Sequence, residues 1–344
     1  MEFRQFSQRT LALASVAAFL LASSVACGQS GSRRLAGRVK IDGSSTVAPI
    51  TMAAAELFHS KQPRVQVTVG ISGSGGGFKK FLEQRADLRT DISDASRPIK
   101  PAEISRAAEV GVQFIEMPIA YDGISLVVNR SNDWCKSLRI EELRRIWEPG
   151  SQINNWQQIR PEFPNVPLKL YGPGTDSGTF DYFVETVVGK AKACRSDFTA
   201  SEDDNVLVQG VAGDRGALGY FGFSYYEANR DKLNLIAVHA PDGKPVKPSL
   251  GTIRDGSYSP LSRPLFVYVN VDASERPEVR AFLQFLVTNA KQIVEHPKVN
   301  YVALSDDLYK AIWSRLEKRV TGSVLADPQN KGKSLTEIYL GDDQ

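Results

Sequence analysis

Three stretches rich in glycine, serine and threonine carry most of the chemistry that this chain offers: Gly43-Ser44-Ser45-Thr46, Gly73-Ser74-Gly75-Gly76-Gly77 and Thr175-Asp176-Ser177-Gly178-Thr179. Each stands just before a run of helical character. The first turn of a helix has N–H groups without intrahelical acceptors and carries the positive end of the macrodipole, so it attracts anions. Glycine lets backbone approach a ligand closely, and hydroxyls donate or accept as the ligand requires. One such loop is ordinarily just a helix cap. Three at strand-to-helix junctions would converge on one cleft, because ligands of open α/β sheets bind at the carboxyl ends of the strands. A fourth segment, Asp94-Ala95-Ser96-Arg97-Pro98, adds a hydroxyl and a guanidinium, whose planar fork suits a tetrahedral oxyanion.

The elements that must position these loops follow from hydrophobic periodicity. Residues 38–41 read as a strand and 53–58 as a helix; 65–71 read as the next strand, 72–77 as its loop and 78–85 as the following helix. This alternation predicts an α/β fold. Two strongly apolar strands, 123–129 and 264–270, would bound a lobe. Between them fall a helix at 140–147, a strand at 168–171, the loop 172–178 and a helix at 179–188; helices at 278–289 and 305–316 follow. A length of 344 residues suits two lobes with a cleft between them.

Composition narrows the function classes. The chain is 42% hydrophobic and 24% charged with a formal net charge of +3, which gives no nucleic-acid footprint. No G-x-x-x-x-G-K-[ST] loop is present, and residues 73–77 lack the dinucleotide spacing. The histidines His59, His239 and His296 are scattered without carboxylate or cysteine clusters, so neither a metal site nor a cofactor is expected. A phosphatase or other hydrolase with a serine nucleophile is the rival reading, and it lacks an evident base.

Arg4 and Arg9 precede an apolar run over 11–21 and then the small residues 22–26, which reads residues 1–26 as an export signal too short to span a bilayer comfortably. Cys27 stands where a lipoprotein signal places its acylated cysteine, with 27–37 as a flexible tether. Ser24 departs from the usual leucine, and ordinary cleavage after Ala26 is the alternative. For an exported chain, Cys135 and Cys194 are expected to form a disulfide, with two separate buried thiols as the other reading.

Five segments in order, DGSSTVAPI at 42–50, GISGSGGGFKKF at 70–81, DASRPI at 94–99, AYDGISLVVN at 120–129 and GPGTDSGTFDYF at 172–183, resemble the PstS family of phosphate-binding proteins of ABC transporters, in its SphX-like branch with a serine-arginine loop. The likeness runs from about 39 to 316. It implies a type II periplasmic-binding-protein fold: two α/β lobes, 38–122 with 261–344 and 123–260, joined by a hinge near 121–124 and 258–263, with phosphate gripped between them. It also implies a transmembrane permease and an ATPase as partners, a location in the periplasm or at the outer face of the cell membrane with a lipid anchor, no enzymatic turnover and a monomer. The same fold could hold sulfate or molybdate instead.

Carried over residue by residue, the resemblance places ligand bonds at Thr46, the Val47 amide, Ser74, Ser177, Gly178 and Thr179, with Ser45 adjacent. The better-known branch has an arginine upstream of its serine-glycine-threonine loop, where this chain has Pro173, and a carboxylate where this chain has Ser96. Arg97 is the expected replacement for the first. An ionised carboxylate accepts the proton of hydrogen phosphate and repels sulfate, so a selectivity acceptor is needed. Asp122 is the expected acceptor, Asp94 the second choice, and Asp176 a helix cap.

Overall fold

The computed structural model describes residues 35–341 apart from 176, 191, 202 and 331. The expected signal segment and the expected lipidation site at Cys27 lie outside the described residues. No helix among the described residues is long and apolar enough to cross a membrane.

The chain begins with two parallel strand-helix units, β1 (Gly37–Gly43), α1 (Ala48–Lys61), β2 (Val65–Ile71) and α2 (Gly73–Phe81). They are followed by β3 (Ile92–Ala95), α3 (Pro101–Glu109) and the long strand β4 (Phe114–Asn129). The middle of the chain supplies α4 (Ile140–Trp147), β5 (Lys169–Pro173), α5 (Gly178–Val187), β6 (Thr199–Ser201), α6 (Asp204–Gly213) and β7 (Ala217–Gly222). After these come β8 (Ser262–Asn270), α7 (Pro277–Thr288) and α8 (Asp306–Glu317). The strands form one hydrogen-bonded path in the order β2-β1-β3-β8-β4-β7-β5-β6.

All 16 residues of β4 are buried, the polar Glu116, Asp122, Ser125 and Asn129 included. Its first part, Phe114 to Gly123, pairs antiparallel with β8, and its second part, Ile124 to Val128, pairs antiparallel with β7. The partner changes beside Asp122. A register shift between Leu265 and Phe266 leaves Ile119 of β4 unpaired, next to Pro118, which has no N–H to give to the ladder.

The glycine-rich stretch expected as a loop is instead the start of α2, because tertiary packing outweighs propensity. Each helical glycine costs up to about 1 kcal/mol, whereas burying Phe78 and Phe81 contributes roughly 1.5–3 kcal/mol apiece. Both rings are buried in a cluster with Leu82, Ile99, Phe114, Phe266 and Tyr268. Glycine is also demanded sterically at 77, where a Cβ would lie 2.5 Å from Gly43 Cα and 2.8 Å from the Asp42 carbonyl oxygen. That closeness seats α2 against the end of β1.

The expected disulfide is not formed: Cys135 and Cys194 are free. The thiols sit in separate surroundings. Cys135 is buried, its amide donating to Asn132 Oδ1, and burial pushes its thiol up to about 12. Cys194 precedes Arg195, which is tied to Asp197 and to the carbonyls of Ile146 and Ile153, and burial raises its thiol to about 11.

Candidate functional site

The carboxyl ends of β1 and β3 and the amino ends of α1, α2 and α5 meet at a cleft of about 610 Å³, whose walls include Ser45, Thr46, Ser74, Ser96, Arg97 and Arg263. Backbone bonds lace the loops of one wall together: Ser44 N–H donates to the Asp94 carbonyl at 2.9 Å, and Ser72 N–H to the Gly43 carbonyl at 3.0 Å. Thr46 N–H donates to Ser44 Oγ at 3.2 Å, a local turn that launches α1. Val47 is the residue before α1 and is fully buried, so it does not line the cleft. Ser96 N–H donates to Ser74 Oγ at 3.1 Å, and the two hydroxyls are 3.2 Å apart, so these residues form one continuous patch.

The opposite wall is α5, which lines the cleft with Asp181, Tyr182, Glu185 and Thr186. Ser177 caps it by accepting from Thr179 N–H at 3.2 Å. Gly178 is pressed against the loop of the other wall: a Cβ there would lie 2.4 Å from Thr46 Oγ1 and 2.9 Å from Thr46 N. The positive ends of α1 and α5 therefore face each other at contact distance.

Arg263 stands at this junction, and sequence reasoning gave it no ligand role, placing it in the hinge segment alone. Its guanidinium donates from Nη2 to Thr46 Oγ1 at 3.2 Å, and from Nε and Nη2 to Asp122 Oδ2 at 3.3 and 3.2 Å. It also lies over the Tyr182 ring, 3.7 Å from the centroid, and the Tyr182 hydroxyl donates to the Pro260 carbonyl at 2.6 Å. Arg263 and Asp122 are register partners across the β8-β4 pair, which is why a surface-facing arginine and a fully buried carboxylate come together.

Two expected ligand residues, Asp122 and Arg97, are each engaged by a charged partner. Asp122 is 0% exposed and does not reach the cleft, since Arg263 covers it. Burial pushes its carboxyl above the usual range, and the Arg263 charge and hydrogen bonds oppose that shift. Arg97 lines the cleft, but its guanidinium is gripped by Glu103 through bonds of 2.9 and 2.7 Å and lies 5.3 Å from the Phe78 ring centroid. Glu103 also accepts from Lys100 N–H at 2.8 Å at the start of α3, so its carboxylate is fixed from two sides.

Asp94 lies beneath the first loop, fully buried, accepting from Thr51 Oγ1 at 2.7 Å. Burial, with the neighbouring Asp42 charge, pushes its carboxyl up to about 8. A folded-state value above the unfolded one means that the folded chain holds this proton where the unfolded chain has lost it. Stability from this group is present below pH 4 and declines as pH rises toward 8. Asp94→Asn keeps an acceptor for Thr51 without the charge, so its melting temperature is expected to exceed that of the wild type increasingly from pH 5 to 8. A constant difference across melting scans at those pH values would show that Asp94 does not titrate there.

Among the described residues there is no cluster of histidine, cysteine and carboxylate side chains able to hold a metal. The arrangement can hold a small anion by helix ends, hydroxyls and one arginine. Fold and cleft together define a solute-binding protein of the two-part α/β class.

Comparison with known proteins agrees. A family model for the PBP superfamily domain matches residues 28–290. The chain is 44% identical over 302 residues to protein SphX of Synechococcus elongatus, covering 87% of each. It is 37% identical over 298 residues to the phosphate-binding protein PstS of Staphylococcus saprophyticus, covering 85% of this chain and 89% of that one. A crystal structure described as a possible phosphate binding protein from Planctomyces limnophilus is 41% identical, with a TM-score of 0.78 over 83% of this chain and 99% of that one. The chain belongs to the PBP superfamily with the type II fold and, within it, to the family of SphX and PstS.

Proposed function

We propose that this chain binds inorganic phosphate outside the cytoplasmic membrane and delivers it to the permease and ATPase of an ABC transporter. One observation carries the reading: the amino ends of α1 and α5 meet head-on at Thr46 and Gly178, with Arg263 at their junction. Two positive helix ends, each equivalent to about half a charge, repel at contact distance, and an anion held beside their junction offsets that repulsion. The anion therefore binds the closed arrangement better than the open one, which is the differential affinity that closure needs. The names of the relatives point to phosphate as that anion.

In this reading Ser45, Thr46, Ser74, Ser177, Gly178, Thr179 and Arg263 hold the ligand. Ser96 and Arg97 form the outer wall, and Asp122 acts through Arg263. Lobes 38–122 with 261–344 and 123–260 would rotate about the crossing of β4 beside Asp122. The protein works as a monomer without covalent chemistry. Calorimetric titration of protein stripped of ligand by unfolding and refolding is expected to give tight phosphate binding and no heat with sulfate. Equal heats would make it a general oxyanion receptor, and turnover of a chromogenic phosphate ester would make it a hydrolase.

Anchoring at Cys27 is part of the same proposal. The exported protein is expected to carry the mass of an acylated chain starting at Cys27, whereas an unmodified mass starting at the same residue would leave it freely diffusing.

A further inference from the structure

Tyr268 of β8 is fully buried among Phe78, Phe114 and Phe266, where a phenylalanine ring would pack equally well. A buried hydroxyl costs stability unless it is bonded, and this one is bonded twice. It accepts from Ile99 N–H at 2.9 Å and donates to Glu116 Oε2 at 2.9 Å. Tyr268 and Glu116 stand side by side because they are register partners across β8 and β4. The Glu116 carboxylate is itself fully buried and anchors a segment near the end of the chain. Ser323 Oγ donates to its Oε2, and the amides of Val324 and Leu325 donate to its Oε1 at 3.1 and 3.4 Å. Gly322 N–H donates to the Phe114 carbonyl at 2.8 Å, which lays this segment along the start of β4.

The other end of this relay reaches the cleft. Ile99 lies in the loop that leaves β3 at Ala95 and enters α3 at Pro101, and Ser96 of that loop donates its N–H to Ser74 Oγ at 3.1 Å. A serine hydroxyl has one proton and two lone pairs. With one lone pair taken by Ser96 N–H, the Ser74 proton is left to point at an anion. We propose that Tyr268 is a positioning residue for the anion site, holding the 96–100 loop against Ser74, and that Glu116 and residues 322–325 hold Tyr268 in turn. The inference rests on the phosphate reading and deepens it, because it gives residues that do not line the cleft a part in fixing one of its hydroxyl donors.

Tyr268→Phe keeps the ring and removes only the shared hydroxyl. In calorimetric titration of the full chain it is expected to weaken phosphate binding about three- to tenfold, the range for one lost hydrogen bond. Amide exchange at Ile99 in the unliganded protein is expected to speed up about tenfold or more. The same substitution made in a Ser74→Ala background is expected to change affinity less than about twofold, because the hydroxyl acts on the ligand through Ser74. A purely structural hydroxyl would give the same loss in both backgrounds. That result, or equal phosphate affinity of wild type and Tyr268→Phe, overturns the positioning role and leaves the phosphate reading standing. Failure of correctly folded wild-type protein to bind phosphate overturns the phosphate reading itself. Ser323→Ala tests the far end of the relay at a half-buried position that leaves the aromatic cluster untouched. It is expected to speed exchange at Ile99 about threefold, and unchanged exchange overturns the part given to residues 322–325.

Discussion

Replacing Arg263 with alanine is expected to lower phosphate affinity by a factor of about 10² to 10⁴ and to destabilise the fold. Loss of two charge-assisted hydrogen bonds at roughly 1.5–3 kcal/mol each sets the first figure. The second follows from Asp122, which is fully buried and accepts two hydrogen bonds from Arg263. Removing one partner of a buried pair typically costs about 3–5 kcal/mol, because the other charge is left without compensation. The two effects separate in a double variant. Arg263→Ala with Asp122→Asn is expected to recover much of the stability in urea unfolding while phosphate affinity stays low. If affinity returned together with stability, Arg263 would be a structural residue and the anion would be held by helix ends alone. Asp122→Asn by itself bears on selectivity. Sealed behind Arg263, the carboxylate cannot meet the phosphate proton, so discrimination between phosphate and sulfate is expected to survive that substitution in competition assays.

The Asp122-Arg263 pair also marks the boundary of what the sequence makes legible. Strand 65–71 and helix 140–147 coincide with the observed β2 and α4, because each has a complete local signature in its apolar spacing. The helix starts near 47 and 177 are legible for the same reason, since caps and glycines act within a few residues. Asp122 and Arg263 are 141 residues apart and meet only because β4 and β8 pair in one register. No local pattern encodes that register, although an arginine opening an apolar strand at SRPLFVYVN is a usable hint. Arg97 shows a complementary limit: its type fits an oxyanion and it lines the cleft, but its pairing with Glu103, six residues on, is not announced by its type. The α2 glycines were legible as permissive backbone, not as helix, because the burial of Phe78 and Phe81 that overrides their propensity is tertiary. Thiol pairing failed for a similar reason: compartment and count say that a disulfide is allowed, whereas separation of the two cysteines is set by the fold.

Gly178→Ala should uncouple affinity from stability in the opposite direction to Arg263→Ala. A methyl group at this position would sit 2.4 Å from Thr46 Oγ1 and 2.8 Å from Thr46 Cα, so the walls must part by about 1 Å to reach ordinary van der Waals contact. Part of the clash involves backbone and cannot be relieved by turning a side chain. The α5 backbone itself tolerates alanine, for Gly178 is a helical residue at the first turn. Alanine there even restricts the unfolded chain, which is worth roughly 0.4–1 kcal/mol in favour of the fold. Melting temperature is therefore expected to hold or rise, whereas phosphate affinity falls about tenfold or more as the two helix ends and Arg263 no longer converge on one anion. The loss should appear chiefly in the dissociation rate, since the open cleft still admits the ligand but the closed one no longer retains it. Stopped-flow release measured beside equilibrium titration distinguishes this from a fault in folding. Wild-type release from Gly178→Ala would mean that contact between Thr46 and Gly178 is incidental, and that the ligand-retaining arrangement does not require the two helix ends to meet.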